Sequence, residues 1–313
     1  MLMTVKIYFV RDSISYLPEI FAYTDFCKHN EILYEVVTPD FDFGKIYEPF
    51  IKWVIMGRDS KIEQNCFLVH EFLSLSTGKL AKIKNLIKKN TAPKPDFQVF
   101  LNSNVKKVFA VENIPSVIRD MGVMPFFKSY KNINKEFDFV YCGSLGKNRK
   151  IEELFIFFKE GALKNSSLLV IGEASDAMIE KYSASNITFI GKVDYQDVPK
   201  LLAKARCAIN FIPNIYPFNL QTSTKLLEYL SCNLPVLSTR YEWVEDFKDK
   251  NNAPILFLDA SLNNERVEFF LNENFIFPNM KCYSWDSILK ESKVFELVLD
   301  GFYQKFGMHN EKR

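Results

Sequence analysis

The sequence predicts two α/β domains, each built on a parallel β-sheet covered by helices. Three observations carry this expectation. Strand-like and helix-like patterns alternate along the chain, the alternation halts in the polar, turn-rich segment 128–136 and then restarts, and 313 residues is the length of two compact domains rather than one. Parallel sheets arise from such alternation because each strand must be returned to the same edge by a crossover helix.

The first alternation opens with Val5-Lys6-Ile7-Tyr8-Phe9-Val10, a short β-rich run. A helical pattern over residues 17–27 and a second strand over 33–37 complete a β-α-β unit. Apolar runs at 53–56, 66–69 and 98–101 read as later strands of the same sheet. Beyond the linker, Phe137-Asp-Phe-Val-Tyr-Cys142-Gly143 starts a second sheet, with strands over 168–171, 187–190 and 207–211 and a helix over about 195–205. Neither opening strand is followed by Gly-x-Gly-x-x-Gly. Arg11-Asp12-Ser13-Ile14 and Gly143-Ser144-Leu145-Gly146 occupy those turns, which argues against a nicotinamide or flavin dinucleotide fold.

Composition excludes several classes. Lys plus Arg number 40 against 38 Asp plus Glu, so bulk charge does not point to nucleic acid. Hydrophobic residues make up 48% and Phe alone supplies 30 positions, enough for a large core. No apolar run reaches the roughly 18 residues of a membrane span, and the start breaks at Arg11-Asp12 too early for a signal peptide, which predicts a cytosolic protein. Six scattered cysteines without a Cys-x-x-Cys pair, and three histidines, suggest neither zinc nor a disulfide framework. One charge run stands out: six lysines fall between Gly78 and Lys94 without an acid. Leu80, Ile83, Leu86 and Ile87 are at helical spacing there, an amphipathic helix with a basic face. It reads either as a solvated surface helix or as a face for an anionic membrane or a phosphorylated lipid acceptor.

The most informative stretch is Gln221-Thr-Ser-Thr-Lys225-Leu-Leu-Glu228-Tyr-Leu230. A helix starting at Ser223 or Thr224 offers unbonded backbone N–H groups and hydroxyls to an anion, and Lys225 adds a full charge. Glu228, three residues on, shares the face of Lys225 and accepts from hydroxyls such as those of a ribose. The same spacing also describes an ordinary capped helix with an i, i+3 ion pair worth about 0.2–0.5 kcal/mol. The strand-like Val236-Leu237-Ser238 that follows places the motif in an α/β unit.

Taken in order, Tyr141-Cys-Gly143-Ser-Leu-Gly-Lys147-Asn-Arg149-Lys150, Asn210-Phe-Ile-Pro213-Asn-Ile-Tyr216-Pro217 and Thr222-Ser-Thr-Lys225-Leu-Leu-Glu228 resemble the retaining GT-B glycosyltransferases of the large family-4-like, glycosyl transferases group 1, type. The resemblance implies two Rossmann-like domains facing each other across a cleft, with a C-terminal helix crossing back to the first. It sets boundaries at 1–131 for the acceptor-side domain, 132–285 for the donor-binding domain and 286–313 for the crossover helix and tail. It implies that Glu228 binds ribose hydroxyls, while Arg149, Lys225 and Lys147 neutralise the diphosphate, with Gly143, Ser144, Ser223 and Thr224 completing the donor site. His70, in His70-Glu71 at the expected end of the 66–69 strand, would line the cleft and join Arg149, Lys225 and Glu228 as a catalytic residue. No metal and no cofactor beyond the nucleotide sugar are implied. One departure stands out: the family's Glu-x7-Glu pattern has Leu220 at its first position.

The function implied is transfer of a sugar from a nucleotide-diphosphate sugar to a saccharide or lipid-linked hydroxyl acceptor, with retention, in cell-surface polysaccharide or glycolipid synthesis. The expected place is cytoplasmic, with peripheral contact at the inner membrane face through 78–94. Two alternatives stand beside it: a GT-B nucleotide-sugar 2-epimerase, and a non-catalytic GT-B partner of an active transferase.

Overall fold

The computed structural model describes residues 5–12, 17–56, 63–146, 149–259 and 261–308. The chain divides into two compact units, Met1–Met124 with Tyr283–Arg313, and Pro125–Cys282.

The first unit carries β1 (Lys6–Val10), α1 (Pro18–His29), β2 (Leu33–Val37), β3 (Phe50–Ile55), β4 (Cys66–Phe72), α2 (Ala81–Thr91), β5 (Phe97–Phe100), α3 (Ser103–Phe109) and β6 (Ser116–Ile118). Its six described strands are parallel, in the order β2-β1-β3-β4-β5-β6. The central strands β3, β4 and β5 are buried at every position, as strands covered on both faces must be. That burial extends to charged residues. Lys52, in mid-β3, lies with its ammonium 4.4 Å from the centroid of the Phe43 ring and 3.7 Å from a Glu63 carboxylate oxygen.

The second unit repeats the plan with β7 (Phe137–Cys142), α4 (Glu152–Lys159), β8 (Leu168–Ile171), α5 (Asp176–Tyr182), β9 (Ile187–Phe189), α6 (Val198–Leu202), β10 (Ala205–Asn210), α7 (Thr224–Ser231), β11 (Val236–Ser238), α8 (Glu242–Asn251), β12 (Ile255–Phe257) and α9 (Asn264–Asn272). The order β12-β11-β10-β7-β8-β9 is again wholly parallel. Read from the other edge, this is a doubly wound sheet whose chain order reverses between β7 and β10. Its core joins Phe139, Leu168, Val170 and Ile209 of the strands to Leu154, Phe155 and Phe158 of α4.

Two last helices, α10 (Trp285–Ser292) and α11 (Val294–Phe306), return to the first unit. Phe295 stacks on Phe26 with ring centroids 4.4 Å apart and meets Tyr23 edge-on at 5.3 Å. Lys305 Nζ lies 2.8 Å from both carboxylate oxygens of Asp96 and donates to the carbonyl of Cys66. Gly122 leaves no room for a Cβ against Trp285, so a glycine is what lets the tail helix approach there.

Several boundaries differ from the expected ones for a physical reason. The strand expected at 66–69 runs on to Phe72 because Glu71 is neutralised within the fold. The helix expected over 195–205 is shorter, since Ala205 already pairs with Phe137 in the sheet. Cys27, Cys66 and Cys232 are buried thiols that burial pushes up to about 12, which makes them core residues rather than nucleophiles.

Candidate active site

In an open parallel sheet, ligands gather outside the carboxyl ends of the strands where the chain order reverses. In the second unit that place is the adjoining ends of β7 and β10, and most of the residues singled out by sequence meet there.

β7 ends in the turn Gly143-Ser144-Leu145-Gly146. The Gly143 N–H donates to Ile171 O at 3.0 Å, the Tyr141 hydroxyl donates to Ser144 O at 3.0 Å, and the Gly146 N–H donates to Ser144 Oγ at 3.3 Å. A methyl group on Gly172 would run into the Gly143 carbonyl, so the turn lies directly on the end of β8. Arg149 follows, its N–H donating to Gly146 O and its guanidinium 5.1 Å from the Phe218 ring centroid. Lys147, the neighbouring expected diphosphate ligand, lies outside the described residues, as do Ser13 and Ile14 of the first-unit turn.

β10 ends at Asn210, which ties three elements together. Its side-chain amide donates to Ser238 Oγ at 2.9 Å, and its Oδ1 accepts from Ser223 Oγ at 2.7 Å. Ser223 is the N-cap of α7, accepting from the Leu226 N–H at 3.2 Å. Tyr229, one turn further on, clamps the helix to β7: its hydroxyl accepts from the Cys142 N–H at 3.0 Å and donates to the Cys142 carbonyl at 3.1 Å. A buried hydroxyl with both roles filled holds its helix in one register.

On that helix Lys225 is partly exposed and Glu228 is 1% exposed. Lys225 Nζ lies 2.7 Å from Glu228 Oε2, and the other carboxylate oxygen accepts from the Tyr195 hydroxyl at 2.6 Å. Tyr195 is itself held between Phe126 and Phe127, ring centroids 5.1 and 5.0 Å away, with the Lys225 ammonium 5.4 Å from its own centroid. Burial pushes the Tyr141 hydroxyl up to about 12, against the opposing pull of the positive charges of Arg149 and Lys225. Burial likewise takes Tyr241 to about 12, with Asn210, Ser223 and Arg149 acting the other way. Two cations from different elements thus act on one strand end, beside the amide groups that open α7. Such an arrangement holds an anion and presents a carboxylate to hydroxyls one turn away.

The first unit places its expected residue differently. His70 does not end its strand: β4 runs two residues beyond it, and its side chain is 1% exposed, in register with Val54 and Gln98. The expectation of a strand-terminal histidine is corrected by this continuation of the strand. Its neighbour Glu71 centres a buried polar cluster. One oxygen accepts from Tyr23 Oη at 2.8 Å and pairs with Arg119, and the other accepts from Trp53 Nε1 at 2.7 Å. Arg119 also lies over the Trp285 ring, its guanidinium carbon 5.0 Å from the centroid.

Sequence reading did not single out Tyr195 as a site residue, and no local signal could have done so. Tyr195 lies 33 residues from Glu228 in the chain, outside any motif. Tyr229 sat within the quoted motif, but its partner Cys142 is 87 residues away. Among the described residues no group of three or more His, Cys, Asp or Glu side chains could hold a metal ion, and no helix is long and apolar enough to cross a membrane.

Residues 136–267 match the family described as glycosyl transferases group 1. No curated protein matches the chain in sequence. Solved structures share the architecture. Sucrose-phosphate synthase from Thermosynechococcus elongatus is 12% identical with a TM-score of 0.67 over 95% of this chain and 99% of that one. Anabaena Alr3699/HepE, solved with UDP and glucose, is 10% identical with a TM-score of 0.61 over 97% and 100%. AviGT4, a glycosyltransferase involved in avilamycin A biosynthesis, is 10% identical with a TM-score of 0.60 over 96% and 97%. The chain has the GT-B fold of two parallel-sheet α/β units. With the match to that family over residues 136–267, it is a glycosyltransferase.

Proposed function

We propose that this glycosyltransferase moves a sugar from a nucleotide-diphosphate sugar to a saccharide or lipid-linked hydroxyl acceptor, with retention at the anomeric carbon, in the synthesis of a cell-surface polysaccharide or glycolipid. The observation that supports the donor class is that Arg149, beyond the β7 turn, and Lys225, in the first turn of α7, both act on the Tyr141 hydroxyl of β7, with Glu228 enclosed one turn into the helix. The diphosphate lies against Arg149 and Lys225, with Ser144 and Thr224 adding hydroxyl donors and Gly143 allowing close backbone approach; Lys147, two residues before Arg149 in sequence, adds a third cation. The Ser223 hydroxyl already serves Asn210 and Leu226, so its part is to hold the helix start in place. Ribose hydroxyls donate to Glu228 in place of the Tyr195 hydroxyl. Positive charge on the departing diphosphate stabilises the transition state, a contribution whose removal costs about 10²–10³ in rate. The acceptor attacks from the face that the leaving group vacates, and a donor phosphate oxygen takes the acceptor proton, so no protein base or metal is needed. His70, enclosed in β4, is assigned to the core of the first unit rather than to catalysis. The setting is cytoplasmic, with peripheral contact at a membrane face through residues 78–94.

The test is thermal stabilisation of the full chain by a panel of nucleoside diphosphate sugars, followed by the anomeric form of any product by NMR. One donor should stabilise the wild type by about 2.7 kcal/mol at roughly a hundred times its dissociation constant. Glu228→Ala should abolish that shift, read against the variant's own unfolding temperature without ligand, which loss of the buried Lys225 and Tyr195 contacts lowers. Stabilisation by none of the donors would sink the reading, and an inverted product would remove its stereochemical part. Leu220 favours a second reading, since its half-buried apolar side chain cannot hydrogen-bond a donor sugar where the family pattern has a carboxylate. Under that reading the chain is a non-catalytic partner, and it binds a donor yet releases no nucleoside diphosphate with any acceptor.

A further inference from the structure

The helix α2 is turned the opposite way from an ordinary surface helix. Leu80, Ile83, Leu86 and Ile87 are 57, 53, 59 and 56% exposed, whereas Ala81 and Asn85 are the residues its inner face buries. At roughly 100° per residue the four apolar side chains form one ridge on the side of the helix away from Ala81 and Asn85. The inner face is anchored: Asn85 Oδ1 accepts from the Ser76 N–H at 2.9 Å, and Lys88 lies over the Phe109 ring at 5.7 Å. Lys82 and Lys89 fall on one flank of the ridge, Lys84 on the other, and Lys79 at its start. No acid occurs from Gly78 to Lys94, and the next one, Asp96, is engaged by Lys305. The neighbouring α3 adds Lys106 and Lys107 in its last turn.

We propose that α2 seats the protein on an anionic lipid surface by entering the headgroup boundary with this ridge, its lysines meeting the lipid phosphates. A helix that is solvated turns polar residues outward, and here large aliphatic ones are outward. A second copy of the chain is a poor occupant, because a two-fold contact through the ridge would set lysines against lysines with no carboxylate in the segment to pair them. An anionic bilayer satisfies both halves of the surface at once, apolar depth beneath a negative plane. The inference deepens the peripheral-contact part of the functional reading and is independent of the donor assignment.

The experiment is co-sedimentation of the full chain with vesicles of phosphatidylcholine alone and with phosphatidylglycerol added. The wild type should sediment only with the anionic vesicles, and less as salt is raised. Ile83→Ser with Leu86→Ser should weaken that binding by about tenfold or more, and so should Lys84→Glu with Lys89→Glu. Both pairs alter positions outside the buried face of α2, so each should keep the wild-type unfolding temperature and donor-induced shift. Failure of the wild type to bind anionic vesicles would overturn the proposal even if the donor shift persists, and a missing donor shift with intact vesicle binding would count against the functional reading alone. Equal binding to neutral vesicles, or binding untouched by the serine pair, would overturn ridge insertion. A dimer that the serine pair converts to monomer in sedimentation velocity, without vesicle binding by the wild type, would make the ridge a protein interface instead.

Discussion

Glu228 has both oxygens occupied, one by Lys225 and one by the Tyr195 hydroxyl. A ligand that uses this carboxylate must replace at least one of them, so an internal hydrogen bond worth about 0.5–1.5 kcal/mol opposes donor binding. Tyr195→Phe should therefore tighten donor binding by a few-fold in calorimetry, and a tenfold loss would show that the hydroxyl contacts the donor. A second residue-scale prediction concerns Glu19. Its carboxyl is buried, and burial raises it from 4.5 to about 7, with Arg119 opposing and Glu71 adding to the rise. The folded state holds this proton more tightly than the unfolded state does. Glu19 therefore contributes most below pH 4.5, and its contribution falls as pH rises to about 7, by roughly 3 kcal/mol in all. Denaturation of Glu19→Gln beside the wild type should show the variant gaining relative stability across that window, and parallel pH profiles would contradict the assignment.

At the scale of elements, α7 is placed by its cap rather than by its apolar face alone. Ser223→Ala removes a cap worth about 1 kcal/mol and leaves Asn210 Oδ1 buried without its donor, a further cost of about 1–3 kcal/mol. The expected loss in urea denaturation is about 2–4 kcal/mol, and a change below about 0.5 kcal/mol would mean that the β10 end holds without the cap. How such elements were legible depends on the range of the forces involved. The N-cap at Ser223 and the strand at Leu33–Val37 follow from neighbours in sequence, and both are where local chemistry puts them. The end of β4 was not legible, because a glutamate in a strand reads as a terminator until Arg119, 48 residues away, is seen to pair with it.

Across the whole molecule, the tail belongs to the first unit although it follows the second in sequence. Phe295 lies among Phe26, Tyr23 and Trp53, and Phe295→Ala should destabilise that unit by about 3–5 kcal/mol. Hydrogen exchange would localise the effect: protection should fall in β1 and β3 and stay unchanged in β7 and β10. Loss spread equally over both units would show that they unfold together. Alternating strand and helix patterns were enough, by themselves, to determine two parallel-sheet units, because periodicity and capping act over a few residues, whereas the glycosyltransferase reading came from the resemblance of the ordered motifs of residues 141–228 to a known family. Tertiary structure alone decided that Tyr195 covers Glu228, that His70 is enclosed, and that the apolar ridge of α2 faces outward. The spacing of side chains tells which of them share a face, but only packing against distant segments decides which face the protein covers.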